Sequence, residues 1–177
     1  SRKILKEVDL IMLPGVGAFP TGISNLRKID IFDFLIERAH LGQPIIGICL
    51  GMQMLFESSS EFELTTGLNL IEGKVEKFKL KENKNNFKML PHIGWNSLIY
   101  RDSRYKIFDK INQYFVHSYI ALSVPQKYII FNCEYAGENF IAGINKKNIT
   151  GFQFHPERSG LDGLHLLSNE ILRLTNK

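Results

Sequence analysis

Three side chains in this sequence have types and spacing suited to acyl transfer: Cys49, His155 and Glu157. Cys49 sits in Gly47-Ile48-Cys49-Leu50-Gly51, where an apolar run gives way to a helix-like pattern carrying Met52, Gln53, Leu55 and Phe56. A nucleophile flanked by small residues on a sharp strand-to-helix turn has the layout of a nucleophile elbow. The helix N-terminus beneath it is expected to favour thiolate over thiol. In Phe154-His155-Pro156-Glu157, an extended backbone would turn His155 and Glu157 to the same side, giving a base with a carboxylate to orient it. The oxyanion formed when a thiolate attacks a carbonyl needs two N–H donors. Leu50, the residue after the nucleophile, offers one, and Val16 in the loop Gly15-Val16-Gly17 is the best candidate for the other.

The elements around these residues imply an α/β fold. Asp9 to Leu13 and Pro44 to Ile48 read as buried parallel strands, with a helical pattern from Leu26 to Ile36 between them and a break near Asp30. Ser58 to Glu61 is expected to end the elbow helix, and Gly67 to Phe78 to form a strand. The lysine- and asparagine-rich stretch Lys79 to Lys88 reads as an exposed loop, and Leu90 to Asn96 as a loop holding the only tryptophan. Gln113 to Ile120, Tyr128 to Glu134, Phe140 to Ile144 and Ile149 to Phe154 read as strands, with a hairpin turn at Asn145 to Asn148. This second half leans antiparallel. An amphipathic helix from about Asp162, with Leu164, Leu167, Ile171 and Leu174 as its stripe, closes the chain.

The length of 177 residues fits a single domain, and the charge of +4 comes from scattered lysines rather than a basic stripe, which disfavours a nucleic-acid partner. No apolar run is long enough to span a membrane. Two cysteines do not make a disulfide framework, so a reduced, cytoplasmic compartment is expected. Cys133 reads as a structural strand residue, and His40, His92 and His165 lack metal-ligand spacing, so neither a metal site nor a cofactor is expected. By periodicity alone His117 reads as a sheet residue.

The segments Leu13-Pro14-Gly15-Val16-Gly17-Ala18-Phe19, Gly47-Ile48-Cys49-Leu50-Gly51-Met52-Gln53 and Gly151-Phe152-Gln153-Phe154-His155-Pro156-Glu157 together resemble the class I (triad) glutamine amidotransferases. Pro91 to Asn96, Tyr114 to Tyr119 and Arg158-Ser159-Gly160 are similar to one branch, the glutaminase subunits of imidazole glycerol phosphate synthase. The resemblance implies a three-layer fold with a mixed, mostly parallel central sheet flanked by helices. It implies glutamine as substrate, Cys49 as nucleophile, His155 as proton shuttle and Glu157 as its orienter. It gives Gly17, Gln53, His117, Ser118 and Tyr119 to the glutamine site, which moves His117 from filler to site wall. It also implies a heterodimer with a barrel-shaped cyclase, met by Trp95, Asn96, Tyr114 and Arg158; the last is commonly lysine in that branch. Ammonia would cross to the cyclase, which converts PRFAR to imidazole glycerol phosphate and AICAR. An apolar strand and a helix usually precede the segment matching Ser1, and a chain lacking them is expected to be poorly stable.

Other readings stay open on the residues. The same chemistry feeds sugar amidation in some relatives, a non-catalytic scaffold would keep the fold, and a cysteine peptidase would share the elbow. The Gly15-Val16-Gly17 loop carries a further expectation: the Val16 peptide rests with its N–H turned away and flips when the partner binds acceptor.

Overall fold

The computed structural model describes residues 2–80 and 90–175. The helix α1 (Arg2–Glu7) leads into β1 (Ile11–Gly15), followed by α2 (Phe19–Lys28), α3 (Phe32–His40), β2 (Ile45–Cys49) and α4 (Leu50–Met54). Asp30, at φ 59°, lies between α2 and α3, where the break is expected. Strands β3 (Phe56–Ser59), β4 (Thr65–Thr66), β5 (Ile71–Lys77), β6 (His92–Tyr100), β7 (Asn112–His117) and β8 (Tyr119–Leu122) come next. Then follow β9 (Ile129–Tyr135), β10 (Glu138–Lys146), β11 (Ile149–Phe152) and α5 (Gly160–Thr175).

A seven-stranded sheet runs β1-β2-β11-β10-β9-β6-β7, and a four-stranded sheet runs β4-β3-β5-β8. The α/β reading with a mixed sheet holds, but the sheet is not mostly parallel, because the second half of the chain pairs through antiparallel neighbours. Parallel pairing in the large sheet is confined to β1 with β2 and β2 with β11, the other neighbours being antiparallel. Every residue of β2 is buried, as a strand covered on both faces must be. Because β11 lies beside β2 in parallel, with Phe152 opposite Ile48, the chain leaves both strands at one sheet edge. That edge receives Cys49 from β2 and His155 from just beyond β11.

Several elements differ from their sequence patterns because long-range pairing overrides local periodicity. The elbow helix ends at Met54, since Phe56 joins a ladder opposite Ile71 and the amides of Leu68 and Leu70 bond back to the Met54 and Leu55 carbonyls. The tryptophan segment is not a loop: from His92 it is β6, paired with both β7 and β9. The single strand expected over Gln113 to Ile120 divides at Ser118, β7 staying in the large sheet while β8 pairs with β5 in the small one. In α5 Leu167, Ile171 and Leu174 of the expected stripe pack on the core, but Leu164 is exposed and Gly163, Leu166 and Glu170 are buried in addition. The buried Glu170 carboxylate is satisfied by Tyr105, Thr150 and Arg173. Of the lysine-rich stretch expected as an exposed loop, residues 81–88 lie outside the described residues. Among the described residues no helix is long and apolar enough to cross a membrane.

Candidate active site

Cys49 ends β2 with φ 53° and ψ −109°, a region costly for any residue with a Cβ, by roughly 1–3 kcal/mol. The surrounding packing imposes it. A Cβ at Gly47 would lie 2.7 Å from the Gly51 carbonyl and the Met52 nitrogen, and one at Gly51 would lie 1.6 Å from the Leu13 carbonyl oxygen of β1. The two glycines let α4 fold back flat onto β1 and β2, and the residue between them is thrust to the sheet edge.

The thiol at that edge is buried and is not a thiolate. Its pKa is pushed up to about 11, chiefly by burial and secondarily by the negative charge of Glu157. The Leu50 amide, a stronger influence than Glu157, and the Gln153 side chain pull it down without offsetting the burial. The expected thiolate at a helix N-terminus is therefore outweighed by desolvation, since α4 has only five residues. Gln153 Nε2 donates to Sγ at 3.7 Å, and Sγ itself faces the Val116 carbonyl at 3.8 Å. With this pKa only about a thousandth of Cys49 is ionised at pH 8, so iodoacetamide should modify it far more slowly than an exposed thiol. Peptide mass mapping after timed alkylation at pH 7 to 10 checks this, and the rate should climb with pH across the whole interval. Folding stability should fall as pH rises from 9.0 toward about 11, because the unfolded thiol ionises near 9.0 while the folded one waits until about 11.

Beyond β11 the chain passes through buried Gln153 and Phe154 to His155, then makes a short 3-10 turn over Pro156–Arg158. The extended backbone expected here is absent, because Pro156 starts the turn. The turn still brings His155 Nδ1 to 2.7 Å from Glu157 Oε1. The His155 amide donates to the Tyr114 carbonyl, and Ser159 Oγ donates to the His155 carbonyl at 2.6 Å while accepting from the Tyr114 amide. The ring is thus anchored on both sides of its own backbone. With Nδ1–H given to the carboxylate, Nε2 keeps its lone pair, and this buried nitrogen has no hydrogen-bond partner among the described residues. A buried, unpaired acceptor on an oriented imidazole is poised to take a proton.

A cavity of about 370 Å³ opens beside the thiol. Val16, Gly17, Cys49, Leu50, Gln53, His117, Ser118 and Tyr119, eight residues singled out from the sequence, line it together. His155 and Glu157 line a neighbouring cavity of about 240 Å³, and Val16 borders both. Val16 is 75% exposed, an unusual position for a valine and one that leaves its peptide little constrained by packing. Both Nε2 hydrogens of Gln53 go to protein acceptors, the Tyr119 carbonyl at 3.2 Å and Gln153 Oε1 at 3.0 Å, so only its Oε1 remains for a ligand. Trp95 and Tyr114 are cross-strand partners with ring centroids 6.0 Å apart, and the Arg158 guanidinium stands 5.0 Å over the Tyr114 ring. Arg158 also lines the larger cavity, so it touches the site as well as this aromatic face. Asn96 is not part of that stack: its amide lies 2.7 Å from His92 Nε2.

Sequence reasoning missed two residues here. Glu61, read only as a helix breaker, supplies a carboxylate to the larger cavity and accepts from the Phe19 amide at the start of α2. No local pattern marks it, because its place depends on β3 and β5 pairing. Gln153 bridges Gln53 and the thiol, and the one signal the sequence offers for it is its position two residues before His155. Cys133 is buried in β9, where burial pushes its thiol up to about 12. Among the described residues no group of three or more His, Cys, Asp or Glu side chains is placed to hold a metal ion.

Comparison with known proteins agrees with this geometry. Residues 2–174 match the family model for glutamine amidotransferase class-I. Over 171 residues the chain is 46% identical to imidazole glycerol phosphate synthase subunit HisH of Carboxydothermus hydrogenoformans, covering 95% of this chain and 81% of that one. Over 163 residues it is 40% identical to the subunit of the same name from Thermotoga maritima, covering 92% and 75%. Among solved structures, one described as a glutamine amidotransferase superposes with a TM-score of 0.73 at 17% identity, covering 99% of this chain and 84% of that one. The PurLQS structure from Thermotoga maritima gives 0.67 at 21% identity, covering 95% and 81%; at these identities the likeness is one of fold. Matched over almost its whole length by the family model and by these relatives, the chain belongs to the class-I glutamine amidotransferases, an enzyme family, and groups there with the imidazole glycerol phosphate synthase subunits.

Proposed function

We propose that this chain is the glutaminase subunit of an imidazole glycerol phosphate synthase, working in histidine biosynthesis in a reduced, cytoplasmic compartment that suits its free thiols. The observation that carries the chemistry is the strained Cys49 at the mouth of a cavity, ending the strand beside the one that leads to an imidazole whose Nδ1 is held by a carboxylate and whose Nε2 has no partner among the described residues. His155 Nε2 takes the thiol proton as Sγ attacks the side-chain carbonyl carbon of glutamine. Neutral thiol and neutral imidazole are the right resting pair for this step, because the thiolate is generated only as it is consumed. The developing oxyanion meets the Leu50 N–H and the Val16 N–H. His155 then passes the proton to the departing nitrogen, and ammonia leaves a γ-glutamyl thioester. Water, deprotonated by the same ring nitrogen, releases glutamate and restores the thiol. Glu157 stabilises the imidazolium at each stage.

The larger cavity has the polarity to hold the amino-acid end of glutamine. Glu61 suits the α-ammonium, while Arg158 and the Gly17, His117, Ser118 and Tyr119 wall suit the α-carboxylate and the chain. Trp95, Asn96, Tyr114 and Arg158 form the edge that meets a cyclase subunit in a heterodimer. Ammonia crosses there to convert PRFAR into imidazole glycerol phosphate and AICAR. Exposed Val16, bordering both cavities, is the element whose peptide turns to complete the oxyanion site when the partner is loaded.

The decisive assay measures glutamate release by the chain alone, with the cyclase subunit, and with the cyclase subunit plus PRFAR. Turnover should be low alone and rise on the order of 100-fold or more in the loaded complex, the scale of one oxyanion donor. Equal rates in all three would remove the Val16 switch. Glutamate release without any imidazole glycerol phosphate would refute the synthase assignment.

A further inference from the structure

Strand geometry places a line of polar side chains inside the large sheet. On β6, His92 and Asn96 are four residues apart and face the same way; on β7, His117 stands directly opposite His92. The rings touch, with His92 Nδ1 3.0 Å from His117 Nε2, and Asn96 Nδ2 is 2.7 Å from His92 Nε2. One fixed acceptor sets every proton on this line. The Tyr119 carbonyl, 3.0 Å from His117 Nδ1, can only accept, so His117 carries its hydrogen on Nδ1 and presents a bare Nε2. His92 must then donate from Nδ1, which leaves its Nε2 bare to accept from the Asn96 amide. Burial and the adjoining His92 hold His117 neutral, its pKa down at about 3, and both rings are walled by Phe115 and Phe140.

The line continues past Tyr119. Its carbonyl also accepts from Gln53 Nε2, Gln53 donates its second hydrogen to Gln153, and Gln153 donates to the Cys49 sulfur. Along this line no hydrogen is used twice and no acceptor faces another acceptor. The outer end is half-buried Asn96, beside exposed Trp95, and the inner end is the nucleophile. We infer that His92 is a positioning residue for Cys49: by donating to His117 Nε2 it holds that ring against the Tyr119 carbonyl, and through that carbonyl it holds the Gln53–Gln153 amide pair that donates to the sulfur. This deepens the glutaminase reading and rests on it for the turnover arm of its test. A purely structural His92 would contribute to stability alone and would have no effect on how the thiol reacts.

Three measurements test it. Long-range proton–nitrogen correlation spectra of the intact chain should show Nδ1 protonated and Nε2 bare on both His92 and His117 at neutral pH. Glutamine hydrolysis in the complex with the cyclase subunit should lose roughly tenfold or more in kcat for His92→Phe, with KM changed far less, since misplaced reacting groups cost rate first. His92→Gln, which retains one donor and one acceptor, should recover most of that loss, and Asn96→Leu should lose less than His92→Phe. The rate of Cys49 alkylation by iodoacetamide should fall in the same order. A proton on Nε2 of either ring, or parental kcat and alkylation in His92→Phe, would overturn the inference. Should His92→Phe not fold, His92→Gln and Asn96→Leu decide it, and parental alkylation in Asn96→Leu together with a wrong tautomer refutes it. A parent chain that never hydrolyses glutamine with its partner would instead overturn the glutaminase reading, leaving the spectra and the alkylation order to judge the relay.

Discussion

Replacing Cys49 by alanine should lower glutamine hydrolysis by at least about 10⁴-fold in kcat, while leaving the fold in place. The size of the loss follows from covalent chemistry: without Sγ there is no thioester, and the remaining donors can only polarise a bound amide toward water. Folding should survive because the substitution removes one atom held by weak contacts, to the Val116 carbonyl at 3.8 Å and the Gln153 amide at 3.7 Å. Alanine keeps the backbone strain at φ 53°, so it gives no compensating gain; Cys49→Gly would relieve it by about 1 kcal/mol and melt slightly higher. Steady-state glutamate release in the loaded complex, with thermal unfolding of each variant alongside, checks both parts. A Cys49→Ala protein as active as its parent would mean that another group attacks the amide.

The site was legible where chemistry is written into adjacent residues, and illegible where it depends on distant pairing. Gly47 and Gly51 announce the elbow because a close backbone approach leaves a local mark: only glycine fits at 2.7 and 1.6 Å from main-chain atoms. His155 and Glu157 announce themselves because a two-residue separation lets them meet within one turn. Glu61 left no such mark, since it reaches the cavity only after β3 and β5 have paired. The division at Ser118 was hidden for a related reason. Both halves have strand-like composition, and what separates them is the choice of partner, β6 for one and β5 for the other. His92 shows how far the same limit extends. Its place opposite His117, twenty-five residues away, is a matter of strand pairing that no local pattern in the sequence carries. The state of the thiol was misjudged because a helix N-terminus can be read from sequence and burial cannot. In this molecule burial is the larger effect.

Gly51→Ala should be the most destabilising single methyl group in the chain, costing roughly 4 kcal/mol or more and leaving little folded protein. The new Cβ would lie 1.6 Å from the Leu13 carbonyl oxygen and 2.8 Å from its carbon. Neither atom can step aside. Leu13 is opposite Gly47 in the parallel ladder of β1 with β2, so moving its carbonyl would pull apart the pairing that carries Cys49. Moving α4 instead would lift Leu50, Met52 and Met54 out of the core. The helix-propensity gain of alanine over glycine, about 1 kcal/mol, is several times too small to offset this. Gly22→Ala is the informative control, because its Cβ would meet the Met54 sulfur at 2.7 Å and the Leu50 Cδ2 at 3.2 Å, both ends of movable side chains. That variant should stay within about 1 kcal/mol of the parent, strain and helix propensity partly cancelling. Urea unfolding midpoints for the three proteins separate the cases. If Gly51→Ala unfolded at the parental midpoint, α4 could not be packed against β1 as closely as these distances require, and the strained angle at Cys49 would lose its cause.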